Sequence, residues 1–142
     1  MIAQKIKITR MLPVGIDRVF AAWSDPAVIS QWFKVDRNWT AQAFNDFRVG
    51  GQYRIEMHRG EAGVFVATGE YREISPPNRL TFTWTSGPGV SDTLVTVELR
   101  AVAAGTELTL THNLLPNTEA LNQHEQGWID CLDNLQHCLT ST

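Results

Sequence analysis

The last quarter of the chain, residues 116–139, is the stretch that most constrains the fold. Asn117 or Thr118 can cap a helix here, and polar residues such as Asn122 and Asp133 would form its wet side. About 22 residues rising about 1.5 Å each would form a rod about 33 Å long, which must bury its apolar stripe against other elements. That stripe recurs at steps of three, four and seven residues, and comprises Leu121, Trp128, Leu132, Leu135 and Leu139.

Two residues on or near this stripe are unusual. A glycine lowers helix stability by about 1 kcal/mol relative to alanine, so Gly127 indicates close approach by another element or by a ligand. His124 lies one turn before Trp128 and places a polar ring near the inward face. Packing alone also explains both residues, with Gly127 making room for a strand and His124 at the boundary.

Composition and charge exclude several classes of protein. With 142 residues the chain is expected to form a single domain over residues 1–142, and 43 % hydrophobic residues exclude a disordered chain. The formal net charge of -3 gives no electrostatic reason to expect nucleic acid or an anionic membrane as a partner. No apolar run approaches the roughly 18 residues of a membrane span, and no signal-peptide pattern is present. We therefore expect a cytoplasmic protein.

The two cysteines lie seven residues apart on the predicted helix. Cys131 and Cys138 would be separated by about 10.5 Å along its axis, which is too far for a mutual disulfide. Together with His124 and His137 they match no zinc-finger or ribbon spacing. The spacing predicts buried or half-buried free thiols, and we expect neither a metal nor a cofactor.

Most of the chain before this helix alternates apolar and polar residues, which is the pattern of half-buried strands. The first strand, over residues 2–11, is followed by two short helices that meet at Asp25-Pro26. Six more strand segments follow, and the paired glycines Gly50-Gly51 indicate a hairpin turn with positive φ. The pattern predicts an α+β domain in which about seven antiparallel strands precede one long C-terminal helix.

The predicted sheet is much wider than the predicted helix. Seven strands spaced by about 4.8 Å make a sheet about 30 Å wide, whereas one helix is about 10 Å across. The sheet must therefore curve around the helix, which leaves a gap near the two short helices. Either aromatic side chains, including the five tryptophans, fill this gap or it stays open as a pocket.

Inward-facing polar residues favour the open pocket. By alternation His112 points to the interior beside Leu110, while His124 faces it from the helix. A few polar groups within an apolar lining are typical of small-molecule sites, although inward polar residues can also bond to each other. The predicted ligand-binding residues are Phe33, Tyr53, Trp84, Leu110, His112, His124 and Trp128.

Several short motifs, in order along the chain, resemble a known family. They include Gln31-Trp32-Phe33, residues 46–51, residues 75–80, residues 105–112, and residues 124–128. On these motifs the chain resembles the helix-grip fold of the START-like (SRPBCC) superfamily, and within it the group named after the activator of heat-shock-protein-90 ATPase. The resemblance implies a cavity between the long helix and the curved sheet, which the superfamily uses for lipids, polyketides, sterols and other apolar ligands.

Three functions remain open at this point. The first is a binding protein for an apolar small molecule or lipid, in which His112 and His124 orient a polar group of the ligand. The second is a cyclase- or hydrolase-like enzyme with a cavity histidine as acid or base, although the sequence contains no nucleophile elbow or phosphate loop. The third is a chaperone-interacting module. The sequence is also compatible with a homodimer.

Overall fold

The structure is a computed structural model that describes residues 4–87 and 89–140. Two short helices, α1 (Ile16–Ser24) and α2 (Pro26–Trp32), follow the first strand, and a long helix, α3 (Thr118–Thr140), follows the last. A single 3-10 turn, Gly60–Ala62, separates the third and fourth strands. The seven strands are β1 (Gln4–Leu12), β2 (Thr40–Asn45), β3 (Gln52–His58), β4 (Val64–Ser75), β5 (Arg79–Ser86), β6 (Thr93–Val102) and β7 (Gly105–Leu115). The predicted start of the first strand at residue 2 lies outside the described residues.

All seven strands belong to one curved antiparallel sheet with the order β1-β7-β6-β5-β4-β3-β2. Strands β2 to β7 run as a meander, and β1 joins the far edge by pairing with β7, where Ile8 lies opposite Leu110. The predicted α+β architecture, with two short helices after the first strand and one long terminal helix, is confirmed.

The junction of the two short helices follows the predicted break at Asp25-Pro26. The Asp25 carboxylate caps α2 by accepting a hydrogen bond from the backbone N–H of Ala27 at 2.9 Å. Pro26 occupies the first helical position, where its missing N–H costs nothing. The indole N–H of Trp32 then donates to the carbonyl of Ala22 at 2.8 Å and ties the two helices together.

The turn between β2 and β3 requires both of its glycines. Gly50 has a φ of +87°, which is the positive value that the paired glycines predicted. Gly51 is restricted for a different reason, because a Cβ there would lie 1.9 Å from the carbonyl oxygen of Asp46. This turn therefore tolerates no larger side chain at residue 51.

Helix α3 is capped and packed largely as its sequence predicts. The side chain of Asn117 accepts a hydrogen bond from the backbone N–H of Ala120 at 2.8 Å, which confirms one of the two predicted caps. Leu121, a member of the predicted stripe, is only half-buried. The main neighbours of α3 are β1, β7 and α2, so the helix lies toward one side of the sheet. Its buried residues are Ala120, Trp128, Cys131, Leu132, Asn134, Leu135 and Leu139.

The two cysteines are free thiols, as predicted, with Cys131 buried and Cys138 half-buried. Within residues 4–87 and 89–140, no helix is both long enough and apolar enough to cross a membrane.

Candidate functional site

An apolar cleft, called here the α3 cleft, lies between α3 and the part of the sheet formed by β3, β4 and β5. Its volume is about 190 Å³. The closed end consists of side chains that are at most 4 % exposed, whereas at the rim Arg59 is half-buried and Gln123 is exposed. The lining residues are Phe33, Val35, Trp39, Met57, Arg59, Phe65, Trp84, Gln123, His124, Gly127, Trp128 and Cys131.

Three parts of the fold supply the walls of the α3 cleft. Met57 of β3 and Phe65 of β4 are direct partners in the antiparallel register, so both side chains project from the same face of the sheet. The segment between α2 and β2 contributes Val35 and Trp39. Because β1 and β7 are the strands that α3 contacts most, this segment and α3 leave a gap above β3 and β4.

Three aromatic rings close the inner end. Phe33 is stacked on Trp84, with ring centroids 5.9 Å apart and an interplanar angle of 26°. Trp128 meets Phe33 edge-on, with ring centroids 5.5 Å apart, and is tilted by 51° against Trp84, with centroids 5.2 Å apart. Contacts of this geometry add to the stability from burial, so the rings form a rigid apolar end to the cleft.

Gly127 opens the helix side of the cleft. A Cβ built at this position would find Val35 Cγ2, at 4.0 Å, as its nearest neighbour outside the local helix. No strand therefore presses against Gly127. The missing side chain leaves room in the cleft beside Trp128.

His112 lies behind the cleft wall, fully buried, in a chain of hydrogen bonds. The indole N–H of Trp128 donates to His112 Nδ1 at 3.0 Å, so this nitrogen carries no proton. His112 Nε2–H therefore donates to Thr93 Oγ1 at 2.8 Å, and that hydroxyl donates to the carbonyl of Trp84 at 2.7 Å. Both ring nitrogens are thus used inside the protein.

His124 has a second, parallel chain of hydrogen bonds. Its Nδ1–H donates to the carbonyl of Ala120, one helical turn earlier, at 2.8 Å. Its Nε2 then accepts from the hydroxyl of Ser86 at 3.0 Å, and Ser86 accepts from the indole N–H of Trp84 at 3.0 Å. The ring of His124 lines the cleft, while its nitrogens are occupied by protein partners.

Burial sets the protonation of two groups near the cleft. Desolvation, with a smaller contribution from the neighbouring His124, lowers the pKa of His112 from 6.5 to about 3, so this imidazole is neutral at ordinary pH. Burial, together with the carboxylate of Asp130, raises the pKa of the Cys131 thiol. Cys131 therefore contributes a protonated, unreactive sulfur to the wall.

The structure brings four of the seven predicted ligand-binding residues into the cleft, namely Phe33, Trp84, His124 and Trp128. The other three lie elsewhere. Leu110 is fully buried in the core, and His112 stands behind Trp128. Tyr53 lines a separate inner void of about 20 Å³, and its hydroxyl donates to the carbonyl of Thr83.

Several cleft residues were not predicted from the sequence. Met57 and Phe65 could have been proposed from alternation along β3 and β4, had the pairing of these strands been known. Val35 and Arg59 belong to irregular segments with no periodicity, so no pattern indicated the direction of their side chains. The sequence predicts a strand from Trp39, whereas in the structure β2 begins one residue later, at Thr40. Within the described part of the chain, no group of three or more His, Cys, Asp or Glu residues is arranged to hold a metal.

Comparison with known proteins identifies a matching family model and several solved structures with a similar fold. The family model described as Activator of Hsp90 ATPase homolog 1-like protein matches residues 13–140. No curated protein matches the chain.

Three of the similar solved structures span nearly the whole chain. A protein from Chromobacterium violaceum is 23 % identical, with a TM-score of 0.87 over 98 % of this chain and 99 % of that one. An uncharacterised protein from Rhizobium leguminosarum is 30 % identical, with a TM-score of 0.81 over 96 % and 94 %. An AHSA1-like protein from Aeromonas hydrophila is 27 % identical, with a TM-score of 0.82 over 95 % and 91 %.

Proposed function

The chain belongs to the family of Activator of Hsp90 ATPase homolog 1-like proteins, whose START-like fold supports ligand binding in general, and we propose that it binds one small aromatic molecule in the α3 cleft. The observation that carries the proposal is the lining, in which buried aromatic rings form the closed end and polar groups lie at the rim. Small-molecule sites usually combine an apolar interior with a few polar groups.

The size of the cleft limits the ligand. An apolar cavity of about 150 Å³ holds a benzene ring. The α3 cleft, at about 190 Å³, therefore suits one ring or two fused rings, with substituents extending through the open rim. Flat rings also match walls built from Trp39, Trp84 and Trp128, because aromatic faces and edges pair favourably.

The hydrogen bonds of the two histidines favour a binding protein over an enzyme that uses a histidine as acid or base. A catalytic imidazole needs a nitrogen free to exchange a proton with substrate and a pKa near the working pH. Both nitrogens of His112 and of His124 are engaged within the protein, and the pKa of His112 is about 3. The role that fits these contacts is to hold Trp84 and Trp128 in place around the ligand.

A substitution that fills the cleft without disturbing the core tests the proposal. In Gly127→Leu the new side chain would occupy open space, and leucine favours a helix over glycine, so the variant should fold. The probe is 2-acetylnaphthalene, a neutral two-ring ketone, titrated by calorimetry. For about 13 non-hydrogen atoms at about 0.5 kcal/mol each, we expect one molecule to bind with a Kd on the order of 10 µM.

Gly127→Leu should abolish this binding while retaining the thermal stability of the unmodified protein. The matched control is Gly127→Ala, which adds one methyl group at ordinary contact distance from Val35. Gly127→Ala should bind the probe. Its free energy of unfolding should be about 1 kcal/mol higher than that of the unmodified protein, because alanine favours the helix. The proposal fails if the unmodified protein does not bind the probe, or if Gly127→Leu binds it equally well.

A further inference from the structure

Arg59 is the one permanently charged side chain among the residues that line the α3 cleft, all of which lie in the described part of the chain. It follows β3 directly and reaches the rim from the sheet side. None of the lining residues is acidic, so no carboxylate among them offsets the charge of Arg59.

Backbone carbonyls hold the guanidinium in position without neutralising it. Arg59 Nη2 donates to the carbonyl of Ala62 at 2.9 Å, and Nε donates to the carbonyl of Gly63 at 3.4 Å. Both acceptors belong to the short turn that leads into β4. The remaining guanidinium nitrogen, Nη1, takes part in neither bond. A cation fixed in this way is prepared for a ligand, because little side-chain freedom is left to lose on binding.

Most other arginines of the described residues pair with a carboxylate. In the described ranges, none of the ion pairs involves Arg59, whereas Arg54 of β3 lies 2.7 Å from the carboxylate of Glu56. Five other arginines also pair with carboxylates at 2.6–3.1 Å: Arg10, Arg48, Arg72, Arg79 and Arg100. Arg59 therefore lacks the negative partner that most arginines of this protein have.

From this arrangement we propose that the natural ligand of the α3 cleft is an aromatic carboxylate, with its rings packed against Trp84 and Trp128 and its anionic group at Arg59. The inference rests on the proposed function. A neutral ligand would cover part of the guanidinium and leave its charge unpaired, whereas a carboxylate gains charge-assisted hydrogen bonds from the same nitrogens. The planar fork of arginine matches the two oxygens of a carboxylate, so orientation is selected together with charge.

The test compares two compounds of the same ring system. The anion 2-naphthoate and the neutral ketone 2-acetylnaphthalene differ mainly in charge, and both are titrated by calorimetry at neutral pH and low salt. Because Arg59 is partly exposed, we expect the carboxylate to bind about fivefold more tightly, the ratio given by about 1 kcal/mol of charge pairing. Added salt should reduce the ratio, because exposed charges are screened.

Two variants of Arg59 test whether its charge causes the tighter binding of 2-naphthoate. Arg59→Gln should bind both compounds with nearly equal affinity, whereas Arg59→Lys should retain part of the preference. The control is Arg72→Gln, which removes an exposed arginine that does not line the cleft and should leave the preference unchanged.

The outcomes separate this inference from the proposed function. If both compounds bind equally and Arg59→Gln changes neither affinity, the proposed function stands and the carboxylate inference is overturned. If neither compound binds to the unmodified protein, both fail. If Arg72→Gln removes the preference as fully as Arg59→Gln does, general surface charge explains it and the inference is overturned.

Discussion

His112 connects three parts of the fold through a single imidazole. It stands on β7, accepts a hydrogen bond from Trp128 of α3 and donates one to Thr93 of β6. A buried polar ring is costly unless its nitrogens are satisfied, so each of these partners is needed. The ring thereby fixes the rotation of Trp128, which forms part of the cleft wall.

The buried state of His112 predicts a specific dependence of stability on pH. Its pKa is about 3 in the folded chain, compared with 6.5 for an unperturbed histidine. Unfolding therefore takes up a proton between these pH values. The contribution of His112 to stability is complete above about pH 6.5 and is lost as the pH falls toward 3, by up to about 1.4 kcal/mol per pH unit.

The contribution of His112 to the free energy of unfolding can be measured by urea unfolding between about pH 7 and pH 5. The unmodified protein is compared with His112→Asn. The stability difference between the two proteins should narrow as the pH falls, because the variant lacks the titrating group. If the stability difference between the two proteins stays constant across this range, His112 has the same pKa in the folded and unfolded chains and the prediction is wrong.

At the level of single residues, the sequence predicted the direction of some side chains but not their partners. Alternation along β7 correctly predicted that His112 points inward, since alternation is a local property of a strand. Its partners could not be predicted, because Trp128 is 16 residues away and meets it only after α3 has packed. Arg59 was missed for a similar reason, since a residue in a turn follows no periodic pattern.

At the scale of elements, the residue that follows α2 separates the α3 cleft from a second space inside the protein. Phe33 follows α2 directly and is 2 % exposed. Its ring lines both the α3 cleft and the inner void of about 20 Å³ that Tyr53 and Tyr71 also line. Phe33 is therefore the side chain that separates the two spaces.

Removing this ring should join the two spaces and change ligand size preference. We expect Phe33→Ala to bind 2-acetylanthracene, a three-ring ketone, more tightly than the unmodified protein does, in calorimetric titrations. The variant should also lose about 3–5 kcal/mol of unfolding free energy, because a large buried ring is deleted. Phe33→Leu is the milder alternative if Phe33→Ala does not fold.

The matched control is Phe44→Ala, since Phe44 lies on β2 and is 54 % exposed. It should change the unfolding free energy by no more than about 0.5 kcal/mol and leave the affinity for both ketones as it was. If Phe33→Ala gains no affinity for the larger ketone, Phe33 does not limit the size of the ligand.

At the scale of the whole molecule, the position of α3 creates the cleft. Among the strands, the helix contacts mainly β1 and β7, near one edge of the seven-stranded sheet, while β3 and β4 lie toward the other edge. The sheet is too wide for one helix to cover, so the segment between α2 and β2 covers the remainder incompletely.

The architecture was predictable because its signals are local. Strand alternation, the proline break after Asp25 and the cap at Asn117 each depend on a few neighbouring residues. The placement of α3 across the sheet depends on contacts between distant residues, so the width mismatch predicted a gap without its exact walls. The third wall, from Val35 and Trp39, comes from a segment that has no regular structure.

The central claim is that an aromatic ligand lies between α3 and the sheet. Nuclear Overhauser contacts between bound 2-acetylnaphthalene and the protein test it most directly. The account predicts contacts from the naphthalene protons to the methyl group of Met57 and to the indole protons of Trp84 and Trp128. Contacts confined to outward-facing residues such as Phe44, with none to these three side chains, would contradict it.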